Sequence, residues 1–474
     1  MNKKILIYIK LIIIFIMLLL SIYLFKVILD INILSTKYII ILISILVILN
    51  IIGILTLISK RILFNILSII IYFILVIICI LGINIGSSTL SFLNKAFNNN
   101  TVEINTYNVI ILKNKYEDIY KLNNKKIGYY LEDNDKEEVL NNIDDLIKVD
   151  KISYEDIYEL YNNLLSKELD AILIASSYLD LLEENNKDIY DNIDIIYSFE
   201  IENILTKKEN SIDKLKPLNI YISGSDSRSK TIYNKSRSDV NMILTINPNT
   251  KHILITSIPR DYYVQVHGQT GLKDKLTHSG IYGLEVSEKT IEDLFDIEID
   301  YSIKINFNAV TEIVDLVGGI EVYSDSTFNS YHKKGWTVKK GYNYMDGEKA
   351  LAYSRERYAY SSGDRHRIQN QQQVLEAVFK KIMKDKSILI KYDELLVSLN
   401  NLYRTTIPKE VISLFVKNQI DNMSTWTFDS NWVNGSNASL PTHTAPKSKR
   451  YVMIPYEDDV KKAHDKITKV LAEI

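Results

Sequence analysis

RSDVNMILTINPNTKHILITSIPRD, residues 237–261, is the stretch on which the reading of the fold turns. Two runs rich in branched residues, Val240–Ile246 and His252–Ile258, flank Asn247-Pro248-Asn249-Thr250, a sequence suited to a turn. With the turn centred between Asn249 and Thr250, Asp239 falls opposite Arg260, because the two are equally far from it. Antiparallel partners that face each other stand about 5 Å apart. The spacing therefore predicts an acid and an arginine together on one edge of a sheet.

Outward from this hairpin the same chemistry recurs. Gly224-Ser225-Asp226-Ser227-Arg228 follows a strand at Leu218–Ile222, and Asp226 can reach over the sheet edge from that turn. Arg355-Glu356-Arg357 ends a run, Leu351–Arg357, that reads as a strand; its two arginines would then share a face and repel each other unless an anion lay between them. Gly363-Asp364-Arg365-His366-Arg367 forms the loop and first turn before a helix at Gln369–Met383, with Val374, Leu375, Val378, Phe379 and Ile382 along one side. A helix N-terminus there adds backbone donors for an anion. Guanidinium forks bind phosphate oxygens in pairs, and carboxylates beside a phosphate hold magnesium. A pyrophosphate with a divalent ion is the expected ligand.

Other chemistries are poorly supported. The 474 residues carry a net charge of −2, which gives no sign of a nucleic-acid partner. The single cysteine, Cys79, lies in an apolar run, so neither a disulfide framework nor a cysteine zinc site is expected. Gly224-Ser225-Asp226 lacks the Gly-x-Ser-x-Gly elbow of a serine hydrolase, and no phosphate-loop motif of nucleotide-triphosphate enzymes is present.

The N-terminal portion is of another kind. Ile5–Leu29, Tyr38–Ser59 and Ile62–Ile85 are apolar runs, each long enough to cross a hydrocarbon layer of about 30 Å. Lys10 and Lys26 flank the core of the first and can snorkel to the two interfaces. Lys3, Lys4 and Lys10 precede the apolar core of the first run, and Lys60-Arg61 separate the second from the third. The excess of positive charge puts the N-terminus and the second loop in the cytoplasm and the large C-terminal portion outside the cell, most simply in a Gram-positive bacterium.

Three parts follow: three transmembrane helices at 1–87, an extracellular accessory α/β domain at 88–210, and a larger extracellular domain at 211–474. Residues 88–100 read as a polar linker. Strands are expected at Tyr107–Leu112, Lys126–Leu131, Asp170–Ala175 and Asp191–Ser198, with a helix at Ser153–Lys167. In the larger domain the pattern adds a helix at Thr290–Phe295, a strand at Tyr301–Phe307, a helix at Ala309–Val317 ended by Gly318-Gly319, a strand at Ile320–Tyr323, and finally a strand at Tyr451–Ile454 and a helix at Asp458–Leu471.

Taken together, these motifs resemble the LytR-CpsA-Psr family of cell-wall glycopolymer transferases. The matching text also includes Asp274-Lys275-Leu276-Thr277-His278, Val314-Asp315-Leu316-Val317-Gly318-Gly319, Ala350-Leu351-Ala352-Tyr353-Ser354 and Gln371-Gln372-Gln373-Val374. Three spans before a small domain are similar to the capsule-attaching branch. The resemblance implies a three-layer α-β-α sandwich with a mixed sheet. It implies a glycan on an undecaprenyl pyrophosphate carrier as substrate, peptidoglycan as acceptor through a muramic-acid hydroxyl, and the lipid tail in a groove between sheet and helices. By position Asp226 and Asp239 would hold Mg2+, Arg237, Arg260, Arg355, Arg357 and Arg367 would grip the pyrophosphate, and Gln371 would lie near it. Two departures stand out: Val240 where relatives often carry a hydroxyl, and Asn370 where many have an arginine, for which Arg365 would compensate. Asp226 is the first candidate for the base and Asp239 the second. Two alternatives remain: a membrane-anchored sensor of lipid-linked wall precursors, whose main ligand site would be the accessory module, and a polyprenyl pyrophosphatase, which would use the same residues with water as nucleophile.

Overall fold

The computed structural model describes residues 3–31, 36–59, 61–98, 102–133, 135–186, 188–204, 215–225, 232–360, 363–384, 399, 402–422 and 425–474. Helices α1 (Lys3–Ile31), α2 (Thr36–Ile58) and α3 (Ile62–Asn98) contain three stretches long and apolar enough to cross a membrane, at Tyr8–Asp30, Lys37–Ile58 and Ile62–Ser88. They meet along a seam that includes Met17, Leu24, Leu46, Tyr72 and Leu75. Most of their other apolar side chains point outward, as lipid-facing residues do. Lys10 donates to Asn65 Oδ1 at 2.9 Å and to the Leu57 carbonyl, so the start of α1 lies beside the α2–α3 connection. The two lysine-bearing ends therefore share a side. α3 runs to Asn98, through most of the expected linker. Past Gly86 nothing in Ser87–Asn98 breaks a helix, and extending one already formed costs little.

The next unit is a mixed five-stranded sheet. Its elements are β1 (Val102–Leu112), β2 (Lys126–Tyr130), α4 (Lys136–Asp144), β3 (Asp150–Tyr154), α5 (Ile157–Leu165), β4 (Ala171–Ala175), α6 (Ser176–Asn185), α7 (Ile189–Asn192) and β5 (Ile193–Ile204). The order is β3-β2-β4-β1-β5, with β1 antiparallel to both its neighbours. The single helix expected at Ser153–Lys167 is instead a strand end followed by a helix. Asp156 makes the break, its side chain accepting from the N–H groups of Tyr158 and Glu159 as an N-cap.

The larger unit begins with β6 (Leu218–Ser225), β7 (Val240–Asn247), β8 (His252–Ile258), β9 (Tyr263–Val264), β10 (Asp274–Lys275), α8 (Leu284–Phe295), β11 (Tyr301–Asn306) and α9 (Phe307–Leu316). It continues with β12 (Ile320–Ser324), β13 (Phe328–Asn329), β14 (Thr337–Val338), β15 (Gly341–Met345), α10 (Gly347–Arg355), α11 (Asp364–Lys384) and β16 (Tyr403–Thr405). It ends with α12 (Lys409–Asn422), β17 (Thr427–Trp432), β18 (Gly435–Thr442), β19 (Ala445–Pro455) and α13 (Glu457–Ala472). Six strands form the central sheet in the order β16-β11-β6-β7-β8-β17. The β11–β6 and β8–β17 pairs are parallel and the others antiparallel.

Strand alternation sorts the side chains into two cores. Tyr221, Ile243 and Leu254 face α8 and α13, meeting Phe295 and Ile467. Ile222, Leu244 and Ile255 face the other way, toward Leu375 and Phe379 of α11 and Val411 and Phe415 of α12. The result is a three-layer α-β-α sandwich around a mixed sheet.

The hairpin has the expected register. Asn247 pairs with His252 and Asn241 with Ile258, which centres the turn between Asn249 and Thr250. Asn247 Oδ1 accepts from Asn249 N at 3.0 Å and holds that turn. Residues 351–355 are not a strand. They close α10, whose N-cap Asp346 accepts from Lys349 N at 2.9 Å. Gly347 is required there, because a Cβ would meet the Thr311 carbonyl at 2.2 Å. Likewise α8 starts at Leu284, six residues before the expected helix, and α11 starts at Asp364, five before Gln369.

Candidate functional site

Two hydroxyls and one glycine fix the segment that carries Arg237 and Asp239. Ser236 Oγ lies 2.9 Å from Ser225 Oγ and Ser238 Oγ lies 2.7 Å from Ser223 Oγ, so both serines point down onto the end of β6. Tyr221 OH, 3.1 Å from Ser238 Oγ, donates to Asn241 Oδ1 at 2.6 Å and completes this buried network. Extended backbone alternates, so Arg237 and Asp239 turn the other way, and both are only half-buried. The Ser238 N–H reaches the Thr277 carbonyl at 2.9 Å, and the Asp239 N–H reaches the Gly224 carbonyl at 2.8 Å. Gly280 packs beneath, where a Cβ would lie 2.4 Å from the Ser236 carbonyl.

On this platform Asp239 Oδ1 accepts from Arg260 Nη1 at 2.7 Å and from Thr277 Oγ1 at 3.4 Å. The Arg260 carbonyl accepts from Thr277 N at 2.8 Å. Arg260 Nε lies 3.7 Å from Asp261, which itself pairs with Lys275 at 3.2 Å. Asp226, expected next to them, immediately follows the last residue of β6 and lies outside the described residues.

The remaining arginines come from α10 and α11. Arg355 is the last residue of α10 and Arg357 lies in the loop after it, so they do not stand side by side on a strand. Arg357 donates to Tyr358 OH at 2.7 Å and packs over that ring. Between them Glu356 is fully buried. Its carboxylate accepts from Tyr331 N at 2.8 Å, Tyr358 N at 3.1 Å and Ala359 N at 3.3 Å, which shapes the arginine loop.

Asn370 is also fully buried, and it donates to the Tyr353 carbonyl at 3.0 Å, tying α11 to the end of α10. It thus fills with a structural amide the place expected for an arginine. Asp364 opens α11, and Arg367 and Gln371, one turn apart, are half-buried on it. Arg365 lies over Trp432, with its guanidinium 5.7 Å from the ring centre. Trp432 pairs with Ser257, three residues before Arg260. Gln372 donates to the Ile255 and Asn431 carbonyls at 3.2 and 2.7 Å, farther back along the same strands. The start of α11 therefore points to the sheet edge where β8 gives way to Arg260.

Glu356, Thr277, Gly280 and Asn370 carry this arrangement and were given no role from sequence. Glu356 had a visible sign: an acid fixed between two arginines. Among the described residues no group of three or more histidine, cysteine, aspartate or glutamate side chains is placed to hold a metal ion. A magnesium ion bound mostly by phosphate and water needs only one or two carboxylates, and Asp239 is of the right kind.

The LytR_cpsA_psr family model matches residues 186–469. The chain is similar to the polyisoprenyl-teichoic acid–peptidoglycan teichoic acid transferase TagU of Enterococcus faecalis, with 32% identity over 202 residues, 42% of this chain and 65% of that protein. TagU of Bacillus licheniformis is 35% identical over 206 residues, 43% of this chain and 65% of that one. The chain thus spans just under two thirds of the length of these relatives. The crystal structure of B. subtilis TagV is 27% identical, with a TM-score of 0.46 over 55% of this chain and 98% of that one. The family match extends over more than half of the sequence, and the chain belongs to the LytR-CpsA-Psr family.

Proposed function

We propose that the protein is a membrane-anchored phosphotransferase that moves a glycopolymer from a polyprenyl pyrophosphate carrier to a hydroxyl of peptidoglycan. The observation that carries this reading is the Asp239–Arg260 pair at 2.7 Å, seated on a braced sheet edge toward which the arginine-bearing start of α11 points. Two negatively charged phosphates at such an edge would be met by Arg237, Arg260, Arg355, Arg357, Arg365 and Arg367. Fixed cationic donors stabilise the charge that develops during phosphoryl transfer.

In the reaction the acceptor hydroxyl oxygen bonds to the phosphorus nearer the glycan. The bond from that phosphorus to the bridging oxygen breaks, and polyprenyl phosphate leaves with the electron pair. Asp226, or failing it Asp239, takes the hydroxyl proton. Asp239 and Asp226 would hold Mg2+, which when bound adds positive charge to the phosphate oxygens. The nearness of Lys10 to the α2–α3 connection supports a cytoplasmic N-terminus and an extracellular C-terminal portion, in a Gram-positive envelope. The three spans and the accessory unit fit attachment of a capsular polymer.

The test uses the full chain in detergent with a polyprenyl-pyrophosphate-linked oligosaccharide. Addition of peptidoglycan and magnesium should release polyprenyl phosphate and leave the sugar joined to peptidoglycan by a phosphodiester. EDTA should suppress turnover at least tenfold. Equal release with and without peptidoglycan, yielding free sugar phosphate, identifies a pyrophosphatase instead. Tight binding without turnover identifies a sensor.

A further inference from the structure

Strands β12 and β15 form a two-stranded ribbon whose inner face, Ile320, Val322 and Met345, packs on α9, α10 and α11. The outer face carries two cross-strand pairs, Tyr323 with Tyr342 and Glu321 with Tyr344. The three tyrosines are 47%, 76% and 61% exposed in sequence order, far more than rings of this size usually are. Tyr323 and Tyr342 meet edge to face, with centroids 5.4 Å apart. Beside them, between β12 and α11, runs a groove of about 970 Å3. Gln373, Glu376, Lys380 and Lys381 form its far wall.

Its chemistry selects the occupant. Exposed tyrosine faces present a partial negative surface that suits the C–H faces of sugar rings. The polar wall offers both donors and acceptors. The formal charges balance, Glu321 and Glu376 against Lys380 and Lys381, so a polyanionic chain gains nothing there.

One end of the groove lies close to the arginine loop. Gln373 faces away from Gln371, two residues before it on α11, but its Oε1 accepts from Tyr353 OH at 2.9 Å, two residues before Arg355 at the end of α10. From Gln371 to Lys381 the helix rises roughly 15 Å. We propose that the groove between the tyrosine ribbon and α11 binds the uncharged amino-sugar backbone of the acceptor, a peptidoglycan glycan strand, and presents its hydroxyl to the arginine site. This inference rests on the transferase reading.

The experiment measures binding to the full chain in detergent by calorimetry, with a defined uncrosslinked N-acetylglucosamine–N-acetylmuramic acid oligosaccharide as probe, its lactyl carboxyls capped as amides so that the chain is uncharged. Poly(glycerol phosphate) of similar length serves as a charged control, and a short-chain polyprenyl pyrophosphate reports on the arginine site. In the double variant Tyr323→Ala, Tyr342→Ala the oligosaccharide should bind at least tenfold more weakly, with polyprenyl pyrophosphate affinity unchanged. Tyr342→Phe, which keeps the ring, should retain wild-type affinity. Undiminished oligosaccharide binding in the double variant overturns the proposal, as does tyrosine-dependent binding of poly(glycerol phosphate) instead. Tyrosine-dependent oligosaccharide binding by a wild type that takes up no polyprenyl pyrophosphate supports the groove and overturns the transferase reading.

Discussion

Glu356 accepts three backbone N–H groups on one buried carboxylate, and each would be stranded without it. An unsatisfied buried donor costs about 1–3 kcal/mol. Glu356→Ala should therefore loosen the Arg355–Ala359 loop, weaken polyprenyl pyrophosphate binding at least tenfold, and lower the melting temperature. Glu356→Gln, which keeps an acceptor, should fall between the two. Wild-type ligand affinity in Glu356→Ala would show that the loop does not serve the site. The residue was visible in the sequence but its burial was not. An acid between two arginines reads as a solvated charge, and its third partner, Tyr331, is 25 positions away. The Asp239–Arg260 pair was legible because it follows from counting outward from one turn.

At the scale of elements, the β7–β8 hairpin could be read because its turn residues and its branched runs agree. α10 could not, because Leu351-Ala352-Tyr353 resembles a short strand and the helix signal, the Asp346 cap, lies several residues upstream. Arg355 and Arg357 consequently stand at the end of α10 and in the loop after it, not side by side on one face of a strand. The turn at Leu276–Ile281 was also overlooked, though it supports Arg237 from below. Gly280→Ala tests that support. Its Cβ would press on the backbone of Ser236 and Ser238, so the segment bearing Arg237 and Asp239 must shift. We expect a loss of about 1–3 kcal/mol in stability and a marked fall in turnover, read by thermal unfolding and by the transfer assay. Unchanged activity would show that the segment tolerates displacement.

On the scale of the whole molecule, the strand that follows the membrane helices is built into the larger unit. Glu103 of β1 takes the buried Arg404 guanidinium at 3.1 Å and the Leu284 N–H at 3.2 Å. Ile104 exchanges backbone hydrogen bonds with Tyr233 and Lys235, just before Arg237. On the far side Lys447 pairs with Glu159 at 2.7 Å. The two extramembrane units should therefore unfold together. Glu103→Ala, which leaves Arg404 buried without its carboxylate, should cost about 3–5 kcal/mol, seen as one lowered transition; two separate transitions in the wild type would contradict this docking.

Beside this pair, burial pushes the Lys304 ammonium down to about 8, opposed by Glu103 and reinforced by Arg404. An unfolded lysine titrates near 10.4. Between about pH 8 and 10 the unfolded chain thus binds more protons, and this group's contribution to stability rises with pH. Below about 8 the cost of burying the charge is fully present. The wild type should accordingly gain thermal stability relative to Lys304→Met between pH 8 and 10, and a pH-independent difference would refute this assignment.

The central claim, that these acidic and guanidinium groups form one pyrophosphate pocket, is tested most directly by titrating the full chain in detergent with a short-chain polyprenyl pyrophosphate. Binding should be strengthened by magnesium, and Arg260→Ala and Arg355→Ala should each weaken it at least tenfold although their residues lie on different elements. Equal affinity for all three proteins, with or without the metal ion, would contradict it.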